Sequence, residues 1–180
     1  YFDGEQVFFF FFDELPQGHL TYGKEIKSLE YGINIAPIKQ KRFFYDPRGD
    51  EMMNSESSGK AEGNTDLQHA VSRSNELYNK VFNQPAIPRI DGFGDLKEFV
   101  ANEEKAKISQ LLRISAESDS PIVRIGSEIQ IDTSVRQELS FVKDSLGKFL
   151  ITKVEHHFDG LGRYTNHFEG VLSSSERVAA

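Results

Sequence analysis

Apolar residues fall into three regimes along this sequence, and each regime predicts a different kind of element. The first opens with a continuous run, Val7-Phe8-Phe9-Phe10-Phe11-Phe12. Such a stretch reads as a strand covered on both faces, or as one covered by a neighbouring subunit, because left open it would invite edge-to-edge association. Short β-like runs follow at His19–Tyr22, Ser28–Ala36 and Gln40–Tyr45, separated by turn residues such as Leu15-Pro16-Gln17-Gly18. This is hairpin and meander punctuation. From Asp46 to Asn64 Met52 and Met53 are almost the only apolar side chains, which predicts a long mobile polar loop.

The second regime has helical period. Leu67, Ala70, Val71, Ser74, Leu77, Tyr78, Val81 and Phe82 recur at three- and four-residue spacing on one stripe, the pattern of an amphipathic helix. Thr65 with Gln68 forms a capping-box pattern at its start. Pro85 and Pro88 stop propagation. A second helix is predicted from Asp95, with Glu98 at the reciprocal cap position, Leu96, Phe99, Val100 and Ala106 inward, and Glu103 with Lys107 as an i,i+4 pair.

The period then returns to two, at Leu112–Ser115, Ile122–Ile125, Glu128–Ile131, Leu139–Val142, Phe149–Phe158 and Tyr164–Val171. The last two runs allow the register to be argued. Leu150, Thr152, Val154, His156 and Phe158 form the more apolar alternate set, so they are expected inward. Placing Phe158 opposite Tyr164 and Val154 opposite Phe168 keeps the return strand's aromatics on that face. The same register sets Lys153 against Glu169 and Glu155 against His167 outside, pairings each worth roughly 0.2–1 kcal/mol. Two independent criteria thus select one hairpin, with Asp159–Arg163 as its loop.

Composition narrows the partners more than the fold. The chain has 180 residues, enough to build a core without covalent staples. It contains no cysteine, which removes thiolate nucleophiles, disulfides and cysteine-based zinc sites. With 21 Lys+Arg against 28 Asp+Glu its net charge is −7, opposite in sign to what a phosphate backbone selects, so nucleic acid is not an expected partner. The longest apolar run is six residues, against about 20 for a membrane-spanning helix. A first residue of Tyr1 reads as an excised or processed segment.

Candidate chemistry is sparse. His156 and His157 are adjacent, so on a strand they point to opposite faces and cannot share an ion. In the register above His157, His167 and Glu155 share a face and make the one conceivable metal set. The sequence lacks a G-x-S-x-G elbow and a phosphate-binding loop, and its glycine pairs Gly92/Gly94 and Gly160/Gly162 read as turns. Arg48-Gly49-Asp50 is an adhesion-type tripeptide that the turn Asp46-Pro47-Arg48-Gly49 also explains. No catalytic, cofactor-binding or metal residues are therefore assigned.

At the level of whole motifs the chain resembles a known family. Phe149–His156 through Asp159-Gly160, then Arg163–Val171, resembles the strand-turn-strand closing the hub of VgrG spike proteins of type VI secretion, which are related to contractile phage-tail and extracellular injection-system hubs. Ile122–Ile129 is similar to the family's glycine turn before an apolar strand, and Tyr1–Phe9 with Leu20–Glu30 is similar to the middle of that hub. The Phe run and the Asp46–Asn64 segment depart from the pattern.

The combined expectation is an α+β chain, mainly β, with antiparallel β-barrel-like hub lobes and two inserted helices. It divides into a meander over 1–45, a polar loop over 46–64, a helical insertion over 65–110, a barrel-like lobe over 111–172 and a tail over 173–180 toward a spike domain. The resemblance implies a non-catalytic, cofactor-free structural segment of a homotrimeric spike. Its implied partners are an Hcp-like tube protein, baseplate components and an effector, with membrane contact only through a needle beyond the chain. Assembly would occur in the bacterial cytoplasm, followed by translocation to the extracellular space or a target cell. Phe8, Phe9, Phe10, Phe11 and Phe12 are the candidate subunit interface. The alternatives are a metal-binding or hydrolytic β-domain using His157, His167 and Glu155, and an adhesion or carbohydrate-binding β-module using the Arg48-Gly49-Asp50 loop.

Overall fold

The computed structural model describes residues 17–86, 92–133 and 145–173. The Phe8–Phe12 run, the Leu139–Val142 strand expectation and the tail beyond Ser173 lie outside those residues. The elements in chain order are β1 (Gln17–Tyr22), β2 (Ile26–Ile33), β3 (Lys41–Asp46), β4 (Glu51–Glu56), α1 (Thr65–Leu77), β5 (Asn83–Pro85), α2 (Phe93–Ser109), β6 (Leu112–Ser118), β7 (Glu128–Thr133), β8 (Ser145–Phe158) and β9 (Tyr164–Leu172). The fold is mainly β with two helices.

Six strands close into a barrel in the order β1-β2-β6-β9-β8-β7. Its interior comes from the alternation the sequence carries. β6 turns Leu112, Ile114, Ala116 and Ser118 inward, and β9 does the same with Asn166, Phe168, Gly170 and Leu172. Ile129, Ile131, Phe149 and Ile151 complete the wall opposite.

Most pairs are antiparallel, but β1 runs parallel to β7, with Gln17 opposite Glu128 and Tyr22 opposite Thr133. β1 and β2 meet only at Tyr22 and Ile26. A corner at Gly23-Lys24-Glu25, with Gly23 at φ 87, carries one bent strand from its β7 neighbour to its β6 neighbour. A positive φ suits glycine there because it has no Cβ to clash. The barrel is therefore not confined to 111–172: the first strands of the chain are part of its wall.

The β8–β9 register matches the sequence argument: Phe158 faces Tyr164, Val154 faces Phe168, Lys153 faces Glu169 and Glu155 faces His167. The facing of β8 differs in its first half. A bulge at Thr152, between Ile151 and Lys153, inverts the alternation, so Phe149 and Ile151 are buried while Thr152 is exposed. Beyond the bulge the hairpin outruns the barrel, and Phe158 is left 73% exposed.

The expected polar loop over 46–64 is instead a hairpin followed by an anchored segment. β4 pairs along the whole of β3, from Asp46↔Glu51 to Lys41↔Glu56, and β5 adds in parallel on the other side. Weak strand formers in Glu51–Glu56 are overridden because the β3 edge satisfies their backbone groups. The Ile122–Ile125 strand is likewise not formed. Ser127 Oγ donates to the Arg124 carbonyl at 2.6 Å and only Val123 is buried, so a local turn satisfies backbone that a strand would have paired.

Both helices differ in detail from expectation. Asn64, not Thr65, caps α1 by accepting from the Asp66 and Leu67 amides, and Gln68 reaches the Gly63 carbonyl instead. Leu67, Ala70, Val71 and Ser74 are buried, whereas Leu77 and Phe82 lie exposed beyond the packed stripe. α2 starts at Phe93, ahead of Asp95, and carries no side-chain cap. Its first half packs Leu96, Val100 and Phe99 against Phe44 and Met53 of the small sheet. Its C-terminal Ile108, with Leu111, joins the barrel core, so one helix braces both sheets.

Candidate functional site

Because β-strands alternate their faces, the barrel's core pattern leaves a polar outer wall. Register places Glu30, Ser115, Glu169 and Lys153 in one row and Ser28, Glu117, His167 and Glu155 in the next. Lys153 Nζ lies 2.8 Å from Glu155 and 3.2 Å from Glu169. Hydrogen bonds to these carboxylates, Glu155 first, hold the Lys153 ammonium above its ordinary range, and the lysine holds Glu155 below the usual carboxylate range. A trough of about 660 Å³ runs between this wall and the end of α2, bordered by Glu30, Arg113, Ser115, Glu169 and Gln110. Its polar groups are spread along the rows, which suits contact with another surface rather than attack on a single atom.

The histidine set separates as strand geometry requires. His156 Nδ1 is 2.7 Å from the Tyr164 hydroxyl on one face. On the other, His167 Nε2 is 3.3 Å from Ser115 Oγ, Glu155 is engaged by Lys153, and His157 stands opposite Thr165. Among the described residues no group of three or more His, Asp or Glu side chains is placed to hold a metal ion.

The Arg48-Gly49-Asp50 tripeptide occupies the β3–β4 turn. Asp46 Oδ1 accepts from the Arg48 amide at 2.9 Å, and Tyr45 donates its hydroxyl to Asp50 at 2.6 Å. That hydrogen bond raises the Tyr45 hydroxyl's pKa. The Asp50 carboxylate is thus employed in closing the turn.

Sequence reasoning missed a polar network across the parallel seam. His19 Nε2 on β1 lies 2.5 Å from Asp132 Oδ2 on β7. Gln130 Nε2 approaches Asp132 at 3.3 Å and donates to Ser145 Oγ at 2.9 Å. The hydrogen bond from His19, followed by those from Ser145 and Gln130, holds Asp132 below the usual carboxylate range. Here the carboxylate stands between serine and histidine, so the histidine is not placed to take the serine proton, and nucleophile activation would need that contact. The network staples strands. Nothing in the local sequence signals it, because His19 and Asp132 are 113 positions apart and only parallel pairing unites them.

A second group missed by sequence reasoning fixes α2 between the sheets. Glu103 forms a bidentate ion pair with Arg42 of β3, rather than the expected pair with Lys107, and Arg42 Nη1 also donates to Gln84 at 2.5 Å. That hydrogen-bonded pairing raises the Arg42 guanidinium's pKa. Glu104, 7% exposed, accepts from the Ser58 and Gly59 amides at 3.2 and 2.5 Å. These carboxylates are structural: each satisfies or neutralises groups that burial would otherwise leave costly.

No family model matches the sequence, and no curated protein matches it. In three dimensions the chain is similar to the tail protein from Neisseria meningitidis MC58, with a TM-score of 0.55 and 6% identity, over 92% of this chain and 47% of that one. It is also similar to the prophage MuSo2 43 kDa tail protein from Shewanella oneidensis, with a TM-score of 0.50 and 9% identity, over 92% of this chain and 45% of that one. This chain therefore spans under half the length of either tail protein, and the likeness is one of fold.

Proposed function

We propose that this chain is a non-catalytic structural segment of a tail-like or spike hub in a contractile injection apparatus, of the VgrG type, that joins an inner tube or baseplate to a puncturing needle. The observation that carries this reading is the closed barrel braced through α2 to a second small sheet, in a chain whose fold is similar to the two tail proteins over 92% of its length. The β8–β9 hairpin, whose residues resemble the family's closing strand-turn-strand, adds support through its register. The polar residues of the wall, seam and helix junction are engaged with one another, in keeping with a load-transmitting part.

In this reading three copies form a ring, with the Phe8–Phe12 run at the subunit contact and a ring face toward an Hcp-like tube and baseplate proteins. An effector would be carried at the distal end, and membrane contact would occur only through the needle. The complex would assemble in the bacterial cytoplasm and then be expelled. Closed cyclic symmetry limits growth of such an assembly, and stable contacts of this kind are large and apolar. The test is solution mass by light scattering, on this chain and on one extended through the natural C-terminus. A trimer for the extended chain is expected; a concentration-independent monomer for both would refute the assembly.

A further inference from the structure

The segment 119–127 leaves β6 and enters β7, two strands that the barrel order separates by β9 and β8, so it crosses one end of the barrel. Val123 is fully buried and joins the barrel core from this segment. The segment is tied down at its two ends, by the Asp119 amide on the Glu25 carbonyl at 3.2 Å and by the Gly126 amide on the Ile151 carbonyl at 2.9 Å. Between them, Asn166 Nδ2 of β9 donates to the Ser120 carbonyl at 2.7 Å.

Asn166 is 1% exposed and is the inner end of a line of polar groups that reaches solvent. Its Nδ2 also donates to the Tyr164 hydroxyl oxygen at 3.0 Å, and that oxygen lies 2.7 Å from His156 Nδ1. The Ser120 carbonyl requires a donor, which fixes the orientation of the amide. Tyr164, half-buried, takes a hydrogen from Asn166 and gives its own to His156 Nδ1, which places the proton of the neutral imidazole on Nε2. His156 is exposed, and its ring stacks beside Tyr164 at 5.8 Å between centroids.

Protonating His156 puts a second hydrogen between Nδ1 and the Tyr164 oxygen. That oxygen has two lone pairs, which the histidine and Asn166 then fill, so the hydroxyl hydrogen needs a new acceptor. Asn166 Oδ1 is buried and has no hydrogen-bond partner. It belongs to the same amide as Nδ2, so the hydroxyl meets it only if the amide turns over. Turned over, the amide withdraws its donor from the Ser120 carbonyl and sets an oxygen in its place.

We infer that His156, Tyr164 and Asn166 form a pH-sensitive latch on the segment 119–127, closed while His156 is neutral and released when it is protonated. The side chains on the face of His156 are Val154 and Phe158 of β8 and Tyr164, Asn166 and Phe168 of β9. Glu155 and His157 beside it point to the opposite face, with Lys153 and His167. In the segment itself Asp119 is held by Lys27 at 2.7 Å, and Arg124 is exposed. The inference does not depend on the hub reading.

The test is amide hydrogen exchange read by NMR on the full chain, with rates corrected for the intrinsic pH dependence of exchange, on either side of the range of about pH 5–8 in which histidine changes charge. The amides to follow are those of Ser120 and Arg124, which donate to Ser118 Oγ and Ser127 Oγ. Their protection, relative to that of the β6 amides, is expected to fall by about fivefold or more at the acid end, the worth of one net hydrogen bond. In His156→Gln, which stays neutral, and in Tyr164→Phe, which cuts the line, it should be the same at both ends; two variants keep the test sharp if one fails to fold. Level protection in the parent, or a fall of equal size in a folded variant, would overturn the inference. Nitrogen chemical shifts of His156 at the alkaline end give a second readout: the Nε2–H tautomer is expected, and the Nδ1–H tautomer would overturn the latch as well.

Discussion

Replacing Gly170 by alanine tests how tightly the barrel interior is closed. Gly170 lies on β9 opposite Ile151, one pair from the bulge at Thr152. A Cβ there would meet the Leu150 carbonyl oxygen at 3.0 Å, with Ile114 Cγ1 and Ile151 Cδ1 both at 3.3 Å. The isoleucine tips can turn aside, but the carbonyl belongs to the neighbouring strand and can yield only if the ladder moves. Overpacking of this kind costs about 1–3 kcal/mol. Against it stands a gain of about 0.5–1 kcal/mol from the reduced conformational freedom of the unfolded chain. The net expectation is a loss of about 0–2.5 kcal/mol centred near 1, or roughly 2–4 °C in Tm at that centre for a chain of this size. The assay is urea unfolding followed by far-UV circular dichroism, with an unchanged slope and a lowered midpoint. Gly160→Ala in the hairpin loop is the control, since its Cβ would meet nothing within 4 Å, and it should be more stable than the parent by about 0.4–1 kcal/mol. If Gly170→Ala matched Gly160→Ala, or was the more stable, the close approach of β8 to β9 would be refuted.

Two further outcomes follow from the polar groups. Glu104→Ala removes the acceptor for the Ser58 and Gly59 amides and should cost about 2–4 kcal/mol, because buried donors are left unpaired; a urea midpoint within error of the parent would show that water replaces the carboxylate freely. Asp132 has its pKa depressed in the folded state, so its contribution is present above the unfolded value of about 3.9 and is lost as pH falls through the folded one. The Tm gap between parent and Asp132→Asn should therefore be present at about pH 5 and close as pH falls below about 4; a gap that failed to close on that acidification would contradict a depressed Asp132 carboxylate.

The parts of the fold legible in the sequence are those whose evidence is local. The β8–β9 register could be argued because its aromatics and its charges choose the same pairing, and both partners lie within one hairpin. Leu67, Ala70, Val71 and Ser74 are buried on α1 because helical period alone places them on one stripe. The strand β4 was not legible, since Glu51-Met52-Met53-Asn54-Ser55-Glu56 has little intrinsic preference for extension and is ordered by the edge of β3. The facing of Phe149 and Ile151 was not legible either, because a single extra residue at Thr152 inverts the alternation.

The sequence by itself determined that this chain alternates short strands around two helices, that the alternation has one apolar face, and that it carries a net charge of −7 and no cysteine for thiol chemistry. Those properties are sums or periodicities, readable without knowing which residues meet. Only the tertiary structure decided that β1 closes the barrel against β7, that His19 finds Asp132, and that Glu103 and Glu104 spend their charge on β3 and on the Ser58-Gly59 amides. These contacts join residues far apart in the chain, and their partners are set by how twisted strands close into a barrel, a constraint that no local stretch of sequence contains.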